Sequence, residues 1–429
     1  MREERAARLA GESSYGRGAR ILSAGLASTG LVTFAYFSVS SHVLSDDDYA
    51  NISLLWSVLF VTVTVLYRPI EQLLSRTIAE RRARGIEHDL PMRVPLLLQG
   101  GFALAFLLVA LLLRAVIRDE LLGKSEALYW ILLVAVLAYA ASYFARGWLA
   151  GHQWFTLYGG LVFLESASRL MFALAVAVGI AEGQTVVALG MAAAPLFSLV
   201  VVPLAFRRRK PPDPASSPPS DELGLARGGR FAFAVLLIML AEQTLVNAAV
   251  LTTKVTAQDA AVAGFVFNVL LIVRAPLTLF QAVQGSLLPH LAGLEAGEDR
   301  AAAAHAVRVT LLAIAGFAAL VALGLLVLGP WAMDVLFDDG ATYGRWGLAL
   351  VGVGMGLHLA AGTLNQAALA RDDALRAAVA WFIAAAVFVA WMVAPVIDDE
   401  LLRTEVGYAG AAGLLCALLA VVYSARREG

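Results

Sequence analysis

Four ionisable residues stand inside otherwise apolar stretches of this 429-residue chain: Glu165, Arg169, Glu242 and Arg274. A charge at mid-bilayer costs at least ~2.5 kcal/mol on insertion scales, so a chain keeps one there for pairing or for function. Glu165 and Arg169 lie four residues apart in VFLESASRLMF, acid first, the order that places a favourable pair on one helix face. Glu242 sits in LIMLAEQTLVNAAV with Gln243 and Asn247 close by, and Arg274 precedes Pro276 in LLIVRAPLTLF. A planar guanidinium suits phosphate or carboxylate, and a buried carboxylate can titrate and carry a coupling proton. Two readings stand for these charges. They are self-neutralised pairs that orient helices, or they face a shared wet cavity. A second cluster, YRPIEQLLSRTIAERRARG, holds Arg68, Glu71 and Arg76 after Pro69, which is expected to bend its helix. These three suit a gate or headgroup contact at the inner mouth, while Arg81, Arg82 and Arg84 read as anchoring charges on the following loop.

The elements that must position these residues are membrane spans. Hydrophobic residues make up 60 % of the chain and charged ones 15 %, with a mean hydropathy of +0.76, which excludes an ordinary soluble domain. Windows of ~20 apolar residues predict twelve spans, near 21–43, 50–70, 94–117, 127–148, 155–180, 184–206, 231–252, 261–289, 307–330, 345–370, 374–397 and 405–425. Between the sixth and seventh lies RRRKPPDPASSPPSDELGLARGGR, a basic, proline-rich stretch that reads as an extended linker. The expected organisation is an N-terminal lobe over 1–206, a cytoplasmic linker over 207–230 and a C-terminal lobe over 231–429. The fold class is all-α membrane protein, with twelve transmembrane helices in two parallel six-helix lobes around a central cavity.

Orientation follows from the basic residues. With the N-terminus inside, the inner connections carry 24 Lys and Arg and the outer ones 5, which predicts both termini in the cytoplasm. No cleaved signal peptide is expected, because the first 20 residues are polar and mixed in charge. The alanine-rich, arginine-rich composition hints at a GC-rich bacterial genome, and the expected location is a bacterial cytoplasmic membrane. Arg20 set on Arg230, Arg93 on Arg308 and Arg146 on Gln366 align the two halves, and six spans per half give repeats of like orientation. Such repeats are a transporter architecture, with the substrate near the midplane and access alternating by rocking. Glu165 aligns near Ala384 or Ala385 and Glu242 near Val32, so the charges do not recur and the predicted site is asymmetric.

Other features read plainly. Asp46–Asp48 form a D-x-D pattern in a solvated acidic loop. The six histidines show no metal-ligand spacing, His358 reads as a packed polar residue, and the lone Cys416 excludes a disulfide framework. No metal or catalytic residue is expected. Gly147–Gly151 and Gly352–Gly356 are G-x-x-x-G patterns that permit close helix contact.

Residues 145–170, ARGWLAGHQWFTLYGGLVFLESASRL, resemble the polysaccharide-biosynthesis branch of the multidrug/oligosaccharidyl-lipid/polysaccharide (MOP) exporter superfamily, which contains the O-antigen (Wzx-type) flippases. The matching features are a small-residue turn, an aromatic-glycine start to span five and its E-x-x-x-R pair. RPIEQLLSR and SDDDYANISLLWS are similar to that branch as well, and the likeness covers essentially the whole chain. The resemblance implies a flippase, not an enzyme, that moves a polyprenyl-pyrophosphate-linked saccharide to the outer leaflet. It implies that Arg169 and Arg274 meet the anionic headgroup, with Glu165 and Glu242 setting their charge or coupling to H+ or Na+ and no bound cofactor. The expected partners are the lipid-linked saccharide, membrane lipids and a glycan polymerase or glycosyltransferases. A monomer without nucleic acid is expected. The chain departs from that branch in its balance of two arginines against two glutamates, which leaves room for a neutral glycan or a smaller lipid-linked substrate.

Three other functions stay open: an ion-coupled antiporter of small amphipathic cations from the same superfamily, a membrane glycosyltransferase relying on Asp46, and a non-transporting partner docked through the linker. The antiporter would prefer an acid in the first span, where the chain offers only Ser23, Ser28, Thr29, Thr33 and Ser38.

Overall fold

The computed structural model describes residues 25, 28–85, 92–206, 224–256, 269, 277, 280, 286–336, 343–394 and 396–425. They form helices α1 (28–43), α2 (Asp46–Ala83), α3 (Arg93–Leu112), α4 (Glu126–Gly151), α5 (Phe155–Ala177) and α6 (Gln184–Ser198, continued by Val201–Phe206). After these come α7 (Leu225–Thr256), α8 (286–296), α9 (Arg300–Leu336), α10 (Arg345–Ala370), α11 (Ala374–Val393) and α12 (Glu400–Ser424). Ten are long and apolar enough to cross a bilayer. The chain is a multi-pass, all-helical membrane protein. Most of the predicted eighth span lies outside the described residues.

Two compact units emerge, Met1–Ala232 and Phe233–Gly429. In the first, α4 is the central helix, paired with α2 and α6, and α5 lies along α6. In the second, α10 is central, with α9 and α12 against it and α11 on α12. Burial separates the roles: 72 % of the apolar window of α10 is buried in the protein, against 6 % for α9.

The helices begin where side chains can satisfy their free N–H groups. Ser45 Oγ accepts from Asp48 N at 3.3 Å to open α2, so Asp46–Asp48 are first-turn helix acids rather than a loop. Ser125 caps α4 through Leu128 N at 3.3 Å, and Asp399 caps α12 through Leu401 N and Leu402 N. Between α3 and α4 a π-helical turn, Ile117–Leu121, carries Arg118, whose Nε and Nη2 donate to Asp119 at 2.8 and 3.1 Å. That pair holds the Asp119 carboxyl below its usual range.

The α4–α5 turn fixes the depth of everything that follows. Gln153 takes a left-handed φ of 60°, Gln153 N donates to Ala150 O at 2.8 Å, and Trp154 N donates to Leu149 O at 2.9 Å. This is a Schellman end without its usual glycine. The α10–α11 turn repeats it: Asp372 has φ 66°, and Asp373 N donates to Ala368 O at 2.9 Å.

Both G-x-x-x-G patterns serve as contact seams. A Cβ on Gly147 would stand 2.8 Å from Glu71 O and 2.9 Å from Glu71 Cα, and one on Gly151 would meet Ile78 and Ser75 O of the same helix. Gly352 and Gly356 seat Ala322 and Ala318 of α9. Gly147→Val is therefore expected to lower the melting temperature of the purified protein, at a cost of about 1–3 kcal/mol or more, since backbone is what must move. Gly160→Ala, with nothing within 4 Å, should be neutral or mildly stabilising; equal melting of the two variants would refute the seam.

Helix α2 departs from its expected extent. It runs 13 residues beyond the apolar window ending at 70, without a break at Pro69, so Arg81 and Arg82 are helical and Arg84 is the C-cap. Glu71, Gln72, Ser75, Arg76, Thr77 and Arg81 are all buried there. A polar helix clothed by its own unit needs no hydropathy to persist.

Candidate functional site

The α4–α5 turn sets equal depths on two antiparallel helices. Ser142 lies eleven residues before Gln153 and Glu165 twelve after it, so they face each other across the hairpin. Ser142 Oγ donates to Glu165 Oε1, and Ser198 Oγ of α6 reaches the same oxygen at 3.4 Å. The other oxygen, Oε2, accepts from Arg146 Nη2, one turn nearer the hairpin end on α4. Glu165 is 1 % exposed. A buried carboxylate needs such partners to remain charged.

Arg169, four residues on, turns to a different set. Its Nη1 donates to Tyr139 Oη at 2.6 Å and its Nη2 to Ser166 Oγ at 2.8 Å. The guanidinium carbon lies 4.9 Å from the Trp56 ring centroid and 5.3 Å from that of Phe60, both on α2. Arg169 is thus boxed by aromatic faces, a geometry that stabilises a cation beyond its hydrogen bonds. The i,i+4 spacing brings Glu165 and Arg169 into one buried neighbourhood, but their hydrogen bonds go across to α4 and α6 and to Ser166. Both are enclosed within the N-terminal unit.

The gate residues continue the same chain of contacts. Glu71 Oε1 accepts from Tyr158 Oη at 2.7 Å, linking α2 to α5. Arg146 lies over the Tyr143 ring at 4.6 Å, within Coulombic range of Glu71 and Tyr158. Arg68 is within Coulombic range of Tyr143 and Tyr158. Arg76 stands apart, bonded to Glu80 Oε1 at 2.6 Å and lying 5.1 Å from the Phe231 ring at the base of α7. Arg146, Glu165 and Glu71 thus share one neighbourhood of the N-terminal unit, with Arg169 and Arg68 linked to it through Tyr139, Tyr143 and Tyr158.

In the C-terminal unit, Glu242 is half-buried on α7, within Coulombic range of Tyr408 on α12. Tyr408 Oη is 3.0 Å from His358 Nδ1, and His358 lies 5.5 Å from the Trp381 ring, whose Nε1 donates to Asn365 Oδ1 at 3.1 Å. His358 is thus the packed polar residue the sequence suggested. Asn247 Nδ2 donates to Gln243 O at 2.8 Å and Gln243 Oε1 at 3.2 Å. Arg274 lies outside the described residues.

Arg146 is the residue that sequence reading missed, having been counted among the inner-loop basics. Depth arithmetic on the hairpin would have found it, since a long side chain one turn from Ser142 reaches Glu165. Tyr139, Tyr158 and the α2 aromatics carry no sequence signal that separates them from core.

No protein-family model matches the chain, and no curated protein matches it. Solved structures do. A point mutant of the Vibrio cholerae MATE transporter VcmN aligns with a TM-score of 0.74 at 15 % identity over 97 % of each chain. An outward-facing multidrug resistance MATE family transporter of the MOP superfamily gives 0.75 at 12 % identity over 97 % of this chain and 94 % of that one. A MATE structure in the straight conformation gives 0.73 at 14 % identity, covering 97 % of both. Built of apolar helices around two central ones, α4 and α10, the chain has the fold of the MATE transporters of the MOP superfamily.

Proposed function

We propose that the chain is an exporter of the bacterial cytoplasmic membrane, working by alternating access, whose substrate is a lipid-linked saccharide with a polyprenyl-pyrophosphate anchor. The transporter fold supports the first part of this reading. The observation that carries the second is the buried Arg169 guanidinium, which bonds to Tyr139 and Ser166 and to no carboxylate among the described residues, and which is a planar group of the kind that holds phosphate. Substrate binding is the event that would draw Arg169 from its aromatic box, and differential binding of two states is what alternating access requires. Glu165 and Glu242 are the proposed coupling groups for H+ or Na+, and Arg274 joins the headgroup site. In this reading both termini are cytoplasmic, the chain acts as a monomer beside a glycan polymerase or glycosyltransferases, and no bond is made or broken.

The Trp56, Phe60 and Tyr139 faces around Arg169 favour a second reading, export of small amphipathic cations. One experiment separates the two. Purified protein in proteoliposomes is given a fluorescent lipid-linked sugar, and its leaflet is followed by a membrane-impermeant quencher. Movement of the lipid-linked sugar is the expected result. Transport of an organic cation under a pH gradient, with no sugar movement, would replace the first reading by the second.

A further inference from the structure

At the end of the C-terminal unit where α10 and α12 both begin, Glu405 is 3 % exposed. Its carboxyl fills the space that a side chain at Gly347 would need: a Cβ there would overlap both Oε1 and Oε2. Among the described residues, Oε1 has no hydrogen-bond partner. Arg403, two residues earlier on α12, is engaged elsewhere, its Nη2 3.3 Å from Glu400 Oε1 and its Nη1 3.5 Å from Ala394 O. Asp399 is the helix cap, and Trp391 Nε1 of α11 donates to Arg403 O at 2.9 Å. Among the described residues, the charged and titratable groups at these helix heads are Asp398, Asp399, Glu400 and Arg403 with α12, and Tyr343 and Arg345 with α10. Among the described residues, no guanidinium meets the Glu405 carboxyl.

A buried carboxylate with a bare oxygen and no counter-charge carries a desolvation penalty that the neutral acid escapes. A glycine opposite gives the carboxyl a fitted seat. We propose that Glu405 is a proton-operated latch between α10 and α12. As the neutral acid it seats against Gly347 and closes the seam; when its proton passes to solvent water, the carboxylate leaves the seat and the two helix heads part. This holds whatever the exporter carries.

The test is hydrogen exchange of the first bonded amides of α10, residues 348–353, in full-length protein held in lipid nanodiscs across a pH series. The wild type is expected to lose protection there as pH rises, whereas Glu405→Gln, neutral at every pH, should keep it. Gly347→Ala, which evicts the carboxyl, should resemble the high-pH wild type throughout. A pH response shared by wild type and Glu405→Gln would overturn the proposal. Should Glu405→Gln fail to fold, infrared spectra of the wild type decide: the carbonyl stretch of a protonated acid must be present at low pH and vanish as protection is lost. Its absence at every pH would overturn the latch equally.

Discussion

Arg146→Ala is expected to destabilise the N-terminal unit by about 3–5 kcal/mol, because it strands the Glu165 carboxylate in a buried site without its ionic partner. Ser142 and Ser198 remain, but two hydroxyl groups do not neutralise a charge. Glu165→Gln in the same background should recover much of the loss, since an amide leaves nothing to compensate. Thermal unfolding of the four proteins in detergent forms a double-mutant cycle. A single Arg146→Ala variant that melts with the wild type would show that the pair contributes little.

Arg169→Ala should act differently. Its guanidinium rests on a hydroxyl, a serine and two ring faces, so its removal strands no carboxylate hydrogen-bonded to it. Insertion and folding are expected to survive, while transport of the lipid-linked sugar is abolished. Arg274→Ala should give the same loss. Arg169→Lys keeps the charge and forfeits the planar fork and stacking, so it should rescue little. Wild-type export by both alanine variants would remove the arginines from the substrate site. The contrast between a variant that melts early and one that melts normally yet does not transport separates scaffold from machinery.

How much of this was legible beforehand varies by the physics involved. Hydropathy located the spans because each must bury or face lipid with ~20 apolar residues, and among the described residues ten helices are long and apolar enough to cross. The glycine seams were legible because a missing Cβ has one use at a helix contact. The polar end of α2 was not, since a window average sees Glu71–Arg84 as loop while the fold buries it. Spacing placed Glu165 and Arg169 on one face, but a single helix says nothing about what stands opposite. The partners Arg146, Ser142, Ser198 and Tyr139 come from α4 and α6, and the Gln153 turn decides their depth.

The unbroken length of α2 makes it a ruler. Its 38 residues measure ~57 Å at 1.5 Å each, nearly twice the ~30 Å hydrocarbon thickness. A spin label at exposed Val61 should report lipid, and one at exposed Arg84 should report water, on one rigid rod. Accessibility measured residue by residue between them would therefore locate the bilayer surface, and the tilt of the whole unit, from a single helix.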